Sequence, residues 1–114
     1  MKHALFFLLL FGAALTAEAQ LIKTQLALTV RDELGNTVEG ASVTLYETEA
    51  NYNEEKNPVV TGETDKKGVI KFKELQAIAY YVIVKKGDKD NRGAGEQIGK
   101  LEANKINKAT VIIQ

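Results

Sequence analysis

Cysteine and tryptophan are missing from this sequence of 114 residues, and proline and histidine occur once each. Without cysteine there is no disulfide framework to staple a small domain, and no thiol for lipid attachment at an export site. The one histidine is His3, at the very start of the chain. Beyond it no imidazole is present to serve as general base, zinc ligand or triad member, which excludes His-based zinc peptidases, Ser-His-Asp triads and Cys-His nucleophiles. Charge of one sign is not in excess either. Fifteen basic and fifteen acidic residues give a formal net charge of zero, mixed along the chain without a basic stripe. That argues against electrostatic capture of nucleic acid or of an anionic membrane. A single long apolar run exists, Ala4–Leu15, too short for the ~20 residues that span a bilayer.

What surrounds that run explains it. Lys2 and His3 give a short polar start, and Ala17-Glu18-Ala19 supplies a small-x-small cleavage site. This three-part layout is that of a secretory signal peptide over residues 1–19. Cleavage after Ala19 leaves a domain over residues 20–114, and removes one basic and one acidic residue (Lys2 and Glu18), so the formal charge stays at zero. No apolar run of membrane length follows, so no membrane span is expected after cleavage. A cysteine-free exported domain fits a bacterial envelope better than the disulfide-rich secreted domains of animals. The expected location is periplasmic or extracellular.

Two stretches of alternating polarity flank a turn-rich break at Leu26–Leu45, and a similar unit follows at Thr64–Val84. Gln25–Arg31 reads as a strand with Leu26, Leu28 and Val30 on its buried face. Asp32-Glu33-Leu34-Gly35-Asn36 turns the chain, because Asp bonds the backbone two residues on while Gly and Asn tolerate positive φ. Ala41–Glu47 is a second strand, with Ala41, Val43 and Leu45 inward and Ser42, Thr44 and Tyr46 outward. Thr48–Pro58 reads as an irregular loop. Val59–Thr64 is a weaker strand, Asp65-Lys66-Lys67-Gly68 a type I turn, and Ile70 and Phe72 alternate with lysines after it. Tyr80–Lys85 is the best strand by propensity, with Tyr80, Val82 and Val84 inward. Gly87–Gly95 reads as a second long loop, and Gln97–Leu101 and Thr110–Ile113 as the last strands. No ten-residue window beyond the signal holds a 3.6-residue apolar period, so essentially no helix is expected. About seven short strands, each with one apolar face, predict an antiparallel Ig-like sandwich of two mutually covering sheets.

The residues Val30-Arg31-Asp32, Gly35, Gly40-Ala41-Ser42-Val43-Thr44-Leu45, Thr64-Asp65-Lys66-Lys67-Gly68, Phe72, Leu75 and Tyr80-x-Val82-x-Val84 resemble the carboxypeptidase-regulatory-like domains. These group with Cna-B-type modules among the prealbumin-like (transthyretin-like) β-sandwiches. The resemblance covers Leu26–Val84 and implies an all-β fold with accessory, adhesive or stalk roles. Thr37 and Glu39 stand where such domains often carry Pro, and Ile78 where they often carry Gly. Some Cna-B modules crosslink themselves from a first-strand Lys to a last-strand Asn or Asp. The matching position here is Val30, which implies that the crosslink is absent; Lys23 and Asn107 are the only distant substitutes. Other members of the fold, hydroxyisourate hydrolases and intradiol dioxygenases, rely on histidines that this domain does not have.

Chemistry-bearing residues are few. Glu47, Glu49, Glu54 and Glu55 cluster around the first loop and make a small carboxylate-dependent hydrolase the remaining enzymatic alternative. Asp88-Lys89-Asp90-Asn91-Arg92-Gly93 has the look of a calcium loop but places Arg92 at the fifth position and Gly99 at the twelfth. No catalytic residue, metal or cofactor is therefore assigned. Tyr46, Tyr52 and Tyr81 are the candidate binding surface, since exposed aromatics stack on sugars or peptides. The expected function is that of a non-catalytic exported module that binds an envelope protein or glycan, or serves as a structural part of the envelope. The alternative is an assembly or adhesion subunit that pairs through the edge of strand Thr110–Gln114, either by self-association or with a neighbouring protein.

Overall fold

A computed structural model describes residues 22–114; the segment 1–19, expected to be a signal peptide, lies outside the described residues. Eight strands form two sheets. They are β1 (Gln25–Asp32), β2 (Ser42–Tyr46), β3 (Val60–Glu63), β4 (Val69–Phe72), β5 (Tyr80–Lys86), β6 (Lys89–Asp90), β7 (Gln97–Ile98) and β8 (Ile106–Ile113). The first sheet has the order β4-β1-β8. The second has the order β3-β2-β5-β6, with β7 also paired to β5. The sheets face each other across a core of Leu26, Leu28, Val30, Ala41, Val43, Leu45, Phe72, Tyr80, Val82, Val84, Ile98, Leu101, Val111 and Ile113. Alternation therefore assigned the inward faces of β1, β2 and β5 correctly.

Three features differ from the sequence expectation. The strands number eight rather than about seven. The sandwich is not wholly antiparallel, because β8 runs parallel to β1 along its whole length, from Gln25 opposite Ile106 to Asp32 opposite Ile113. The chain path explains the direction. β7 lies against Tyr80 and Tyr81 at the start of β5, and Leu101 N donates to Ile78 O at 3.1 Å. Asn104 N then donates to Thr24 Oγ1 at 2.9 Å. The chain thus crosses to the first sheet at the end where β1 begins, and β8 runs beside β1 in the same direction, as a crossover connection requires. The third difference is a short helix, α1 (Glu49–Glu54), inside the segment expected to be irregular. Thr48 caps it, its hydroxyl accepting from Asn51 N at 3.1 Å, and Glu55 ends it at φ 52°. Six residues are too few to show a helical period in a ten-residue window.

The two predicted turns are near copies of one another. Asp32 Oδ1 accepts from Leu34 N at 3.0 Å and from Asn36 N at 2.9 Å. Asp65 Oδ1 accepts from Lys67 N at 2.8 Å and from Val69 N at 3.0 Å. Backbone donors hold both carboxyls below the usual carboxylate range, that of Asn36 foremost at Asp32 and that of Val69 at Asp65. The turns meet at one end of the sandwich, where Val30 N donates to Gly68 O at 2.8 Å and Val38 N to Val30 O at 2.9 Å. Gly68 has φ +77°, and a Cβ there would lie 2.8 Å from Thr37 Cβ and 3.0 Å from Val38 N. Gly35 has φ +90° but open space around it. Gly68→Ala therefore meets both left-handed strain and a steric clash, and should cost about 2–4 kcal/mol. Gly35→Ala meets the strain alone and should cost about 1 kcal/mol. Urea melts of the two variants check the difference.

Candidate functional site

Three regions outside the main core hold unusual side chains: the outer face of the second sheet, the β6–β7 segment, and the edge of β8. On the outer face, register places Thr44 beside Ile83 and Tyr46 beside Tyr81. Helix α1 lies over β2 and β5 on this side. It delivers Tyr52 between the two sheet tyrosines, with ring centroids 6.3 Å from Tyr46 in an edge-on contact and 5.6 Å from Tyr81. The three candidate tyrosines are thus brought together. Their exposure, however, needs correction. Tyr46 is 4% exposed, because α1 covers the face that alternation assigned to solvent; Tyr52 and Tyr81 are half-buried. Burial pushes the Tyr46 and Tyr52 hydroxyls up from their ordinary value, helped at Tyr52 by a hydrogen bond with Glu96. The cluster packs α1 onto the sheet in edge-on and tilted contacts rather than forming a flat platform.

Ionic contacts reinforce the same packing. Glu55 bridges Lys85 Nζ and Arg92 Nη2, each at 3.2 Å. A shallow cleft of about 240 Å³ lies beside it, lined by Tyr52, Asn53, Arg92 and Glu96. That is smaller than the ~300–1,000 Å³ of most small-molecule sites. Glu54 lies 3.8 Å from Lys56, and Glu47 and Glu49 are exposed. Among the described residues no three His, Cys, Asp or Glu side chains come together in a group that could hold a metal ion.

Asn91, read from sequence as part of a charged turn, is a buried structural residue at 1% exposure. Its Oδ1 accepts from Val84 N, and its Nδ2 donates to Val82 O and Gly95 O, all at 2.9 Å. The side chain amide thus pairs with β5 in the gap between β6 and β7. No sequence pattern marks it; only the short, turn-rich spacing of Asp88–Gly95 leaves room for a side chain to substitute for a strand. The proposed crosslink substitutes are also occupied. Lys23 Nζ pairs with Glu74 at 3.0 Å, and Asn107 Nδ2 donates to Gln25 O and Glu102 O at 3.0 Å. Val30 is fully buried.

The third region is the edge of β8. Its N-terminal half was missed in the sequence because Ile106, Asn107, Lys108 and Ala109 do not alternate cleanly. Among the described residues β8 pairs with β1 on one side and with no strand on the other. Its far end is clamped by Gln114, which exchanges backbone bonds with Asp90 (2.9 and 3.3 Å). Alongside the open edge runs a groove of about 600 Å³, bounded by Ile98–Leu101 and by β8 itself. Val111 and Ile113 are core residues, so the closing strand is integral to the fold. Its removal should unfold the sandwich rather than merely release a partner.

Ile83 generates a test of the outer-face packing. It faces away from the inter-sheet core yet is 5% exposed. Ile83→Ala should cost about 2–4 kcal/mol, no less than Val82→Ala at about 1–3 kcal/mol. Tyr52→Ala should cost about 1–2 kcal/mol through lost ring packing. Denaturation midpoints of the three variants check this ordering; an Ile83→Ala variant as stable as the parent would contradict the burial of Ile83 on the outer face.

No protein-family model matches the chain, and no curated protein matches it. Solved structures do. The chain is similar to part of the TIE protein of Bacillus anthracis, at 26% identity and a TM-score of 0.59, covering 81% of this chain and 17% of that one. It is also similar to part of BcpA, the major pilin subunit of Bacillus cereus, at 21% identity and a TM-score of 0.54, covering 82% of this chain and 30% of that one. The chain spans less than a third of the length of either neighbour. What the likeness establishes is the fold: a two-sheet β-sandwich of the kind found as one part of these longer proteins.

Proposed function

We propose that this chain is an exported structural module of the bacterial envelope, which works by assembling with other envelope components and not by catalysis. The observation that carries this reading is the eight-residue strand β8, held on one edge only and flanked by an open groove. Unpaired strand edges are sites for strand addition. Two findings support it. One solved neighbour is a major pilin subunit, and the sequence motifs from Leu26 to Val84 resemble carboxypeptidase-regulatory-like and Cna-B-type modules, which serve as stalk and accessory domains. On this reading residues 1–19 direct export and are removed, and the domain resides in the periplasm or outside the cell. The tyrosine cluster then serves stability first, and the partner is an envelope protein or glycan.

Fractionation of the native host, followed by N-terminal sequencing and chemical crosslinking, tests the reading. The expected result is a protein starting at Gln20, recovered with the envelope or medium, and crosslinked to at least one envelope component. Recovery of the intact Met1 form from the cytosol, or turnover of an ester, peptide or glycoside at enzyme-like rates by the purified protein, would contradict it.

A further inference from the structure

The four outer edges of the two sheets are not alike. β3 and β4 are four residues each, and β6 is two; such short edges offer little for another chain to pair with. β8 is eight residues long, contains no proline or glycine, and carries one charge, Lys108. It is the one long unguarded edge among the described residues.

The direction of its backbone groups follows from two contacts. Lys105 O accepts from Gln25 N on the β1 side, while Gln114 bonds Asp90 on the opposite side. Successive residues of a strand direct their N–H and C=O to alternate edges. Asn107, Ala109, Val111 and Ile113 therefore face β1, and Ile106, Lys108, Thr110 and Ile112 present their groups to the open edge.

We infer that this edge takes a second copy of the same chain, β8 pairing antiparallel with β8 about a twofold axis at Ala109. The inference rests on the assembly reading above and names its partner. Register selects this arrangement. With Ala109 opposite Ala109 of the second copy, Ile106 meets Ile112 and Lys108 meets Thr110. All four open residues of each copy then form hydrogen-bonded pairs, and Gln114 keeps its bonds to Asp90. Centring on Lys108 would set like charges face to face, which is unfavourable. Centring on Thr110 would demand Gln114, which is already engaged. The chosen register also places Ile106, which is 48% exposed and one of four large exposed hydrophobic side chains among the described residues, against an isoleucine on the same face. The two copies join their first sheets into one six-stranded sheet, and the small Ala109 side chains point into the groove beside Ile98 and Leu101. A twofold contact of this kind is closed, so it makes a dimeric unit and not a growing fibre.

The lack of native cysteine allows the register to be read directly. In the proposed pairing the two Ala109 Cα atoms form a non-hydrogen-bonded pair about 4.5 Å apart, within reach of a disulfide. The diagonal Lys108–Lys108 and Thr110–Thr110 separations are about 7–8 Å, too long for one. Three variants, A109C, K108C and T110C, are purified and oxidised under the same conditions. A109C is expected to give the covalent dimer, with K108C and T110C giving only background amounts of it. A fourth variant, T110K, sets a second ammonium group against Lys108 of the other copy. It should abolish dimerisation in sedimentation equilibrium while leaving unchanged the circular-dichroism spectrum and the melting midpoint measured at dilution, where the parent too is monomeric. A monomeric parent protein at high concentration, or preferential crosslinking of K108C or T110C, would overturn the inference. Loss of a different envelope protein from T110K crosslinks, with the parent monomeric, would assign the edge to another partner and also overturn it. In that last case the assembly reading of the previous section survives, whereas a cytosolic, unprocessed protein would sink that reading without touching the dimer.

Discussion

The structure depends on β1. It is the central strand of the first sheet, bonded to β4 on one side and to β8 on the other, and Leu26, Leu28 and Val30 on its inner face are fully buried. With no disulfide available, the burial of such side chains is the main force that holds the two sheets together. Alternation along β1 fixes which face is inward, and a slip of one residue would send Ala27, Thr29 and Arg31 into the core. Every other placement follows: β4 by its antiparallel register, β8 by its parallel one, and β2 and β5 by the need to cover the same apolar face.

Much of this was legible in the sequence where polarity alternates strictly. β1, β2 and β5 announced both their extent and their inward residues, and the Asp-x-x-Gly pattern announced both turns. Legibility failed where a second layer covers a face that alternation leaves to solvent. Ile83 is buried on the outer face, and Tyr46 is buried on that same face because a six-residue helix crosses it; so short a helix leaves no period to detect. Its only local signal is Thr48 followed by Glu49, a capping residue and an acidic first turn. Legibility failed again at β8. Its edge position lets Ile106 and Lys108 occupy one exposed face together, which blurs alternation, and strand direction is a property of chain path that no local pattern encodes.

The candidate site showed the same division. The three tyrosines chosen as a binding surface do meet, and they meet because α1 packs through them, close to the Glu55 pairs with Lys85 and Arg92. Asn91 completes the second sheet with its side chain where β6 and β7 leave a gap. Both ends of the β5 side are thereby satisfied within the molecule. β8 is different: its backbone groups on one edge find no partner among the described residues, and unpaired edges of that length invite a strand from outside. The functional reading thus comes to rest on backbone geometry more than on any reactive side chain, in keeping with described residues that include no imidazole or thiol.

Residue-resolved amide hydrogen exchange on dilute protein tests the central claim most directly, because it separates the two edges of β8. The account predicts slow exchange at Asn107, Ala109, Val111 and Ile113, whose amides are bonded to β1, and fast exchange at Lys108, Thr110 and Ile112, whose amides face the open edge. Uniform protection along the strand at low concentration, or protection of the opposite set, would contradict it.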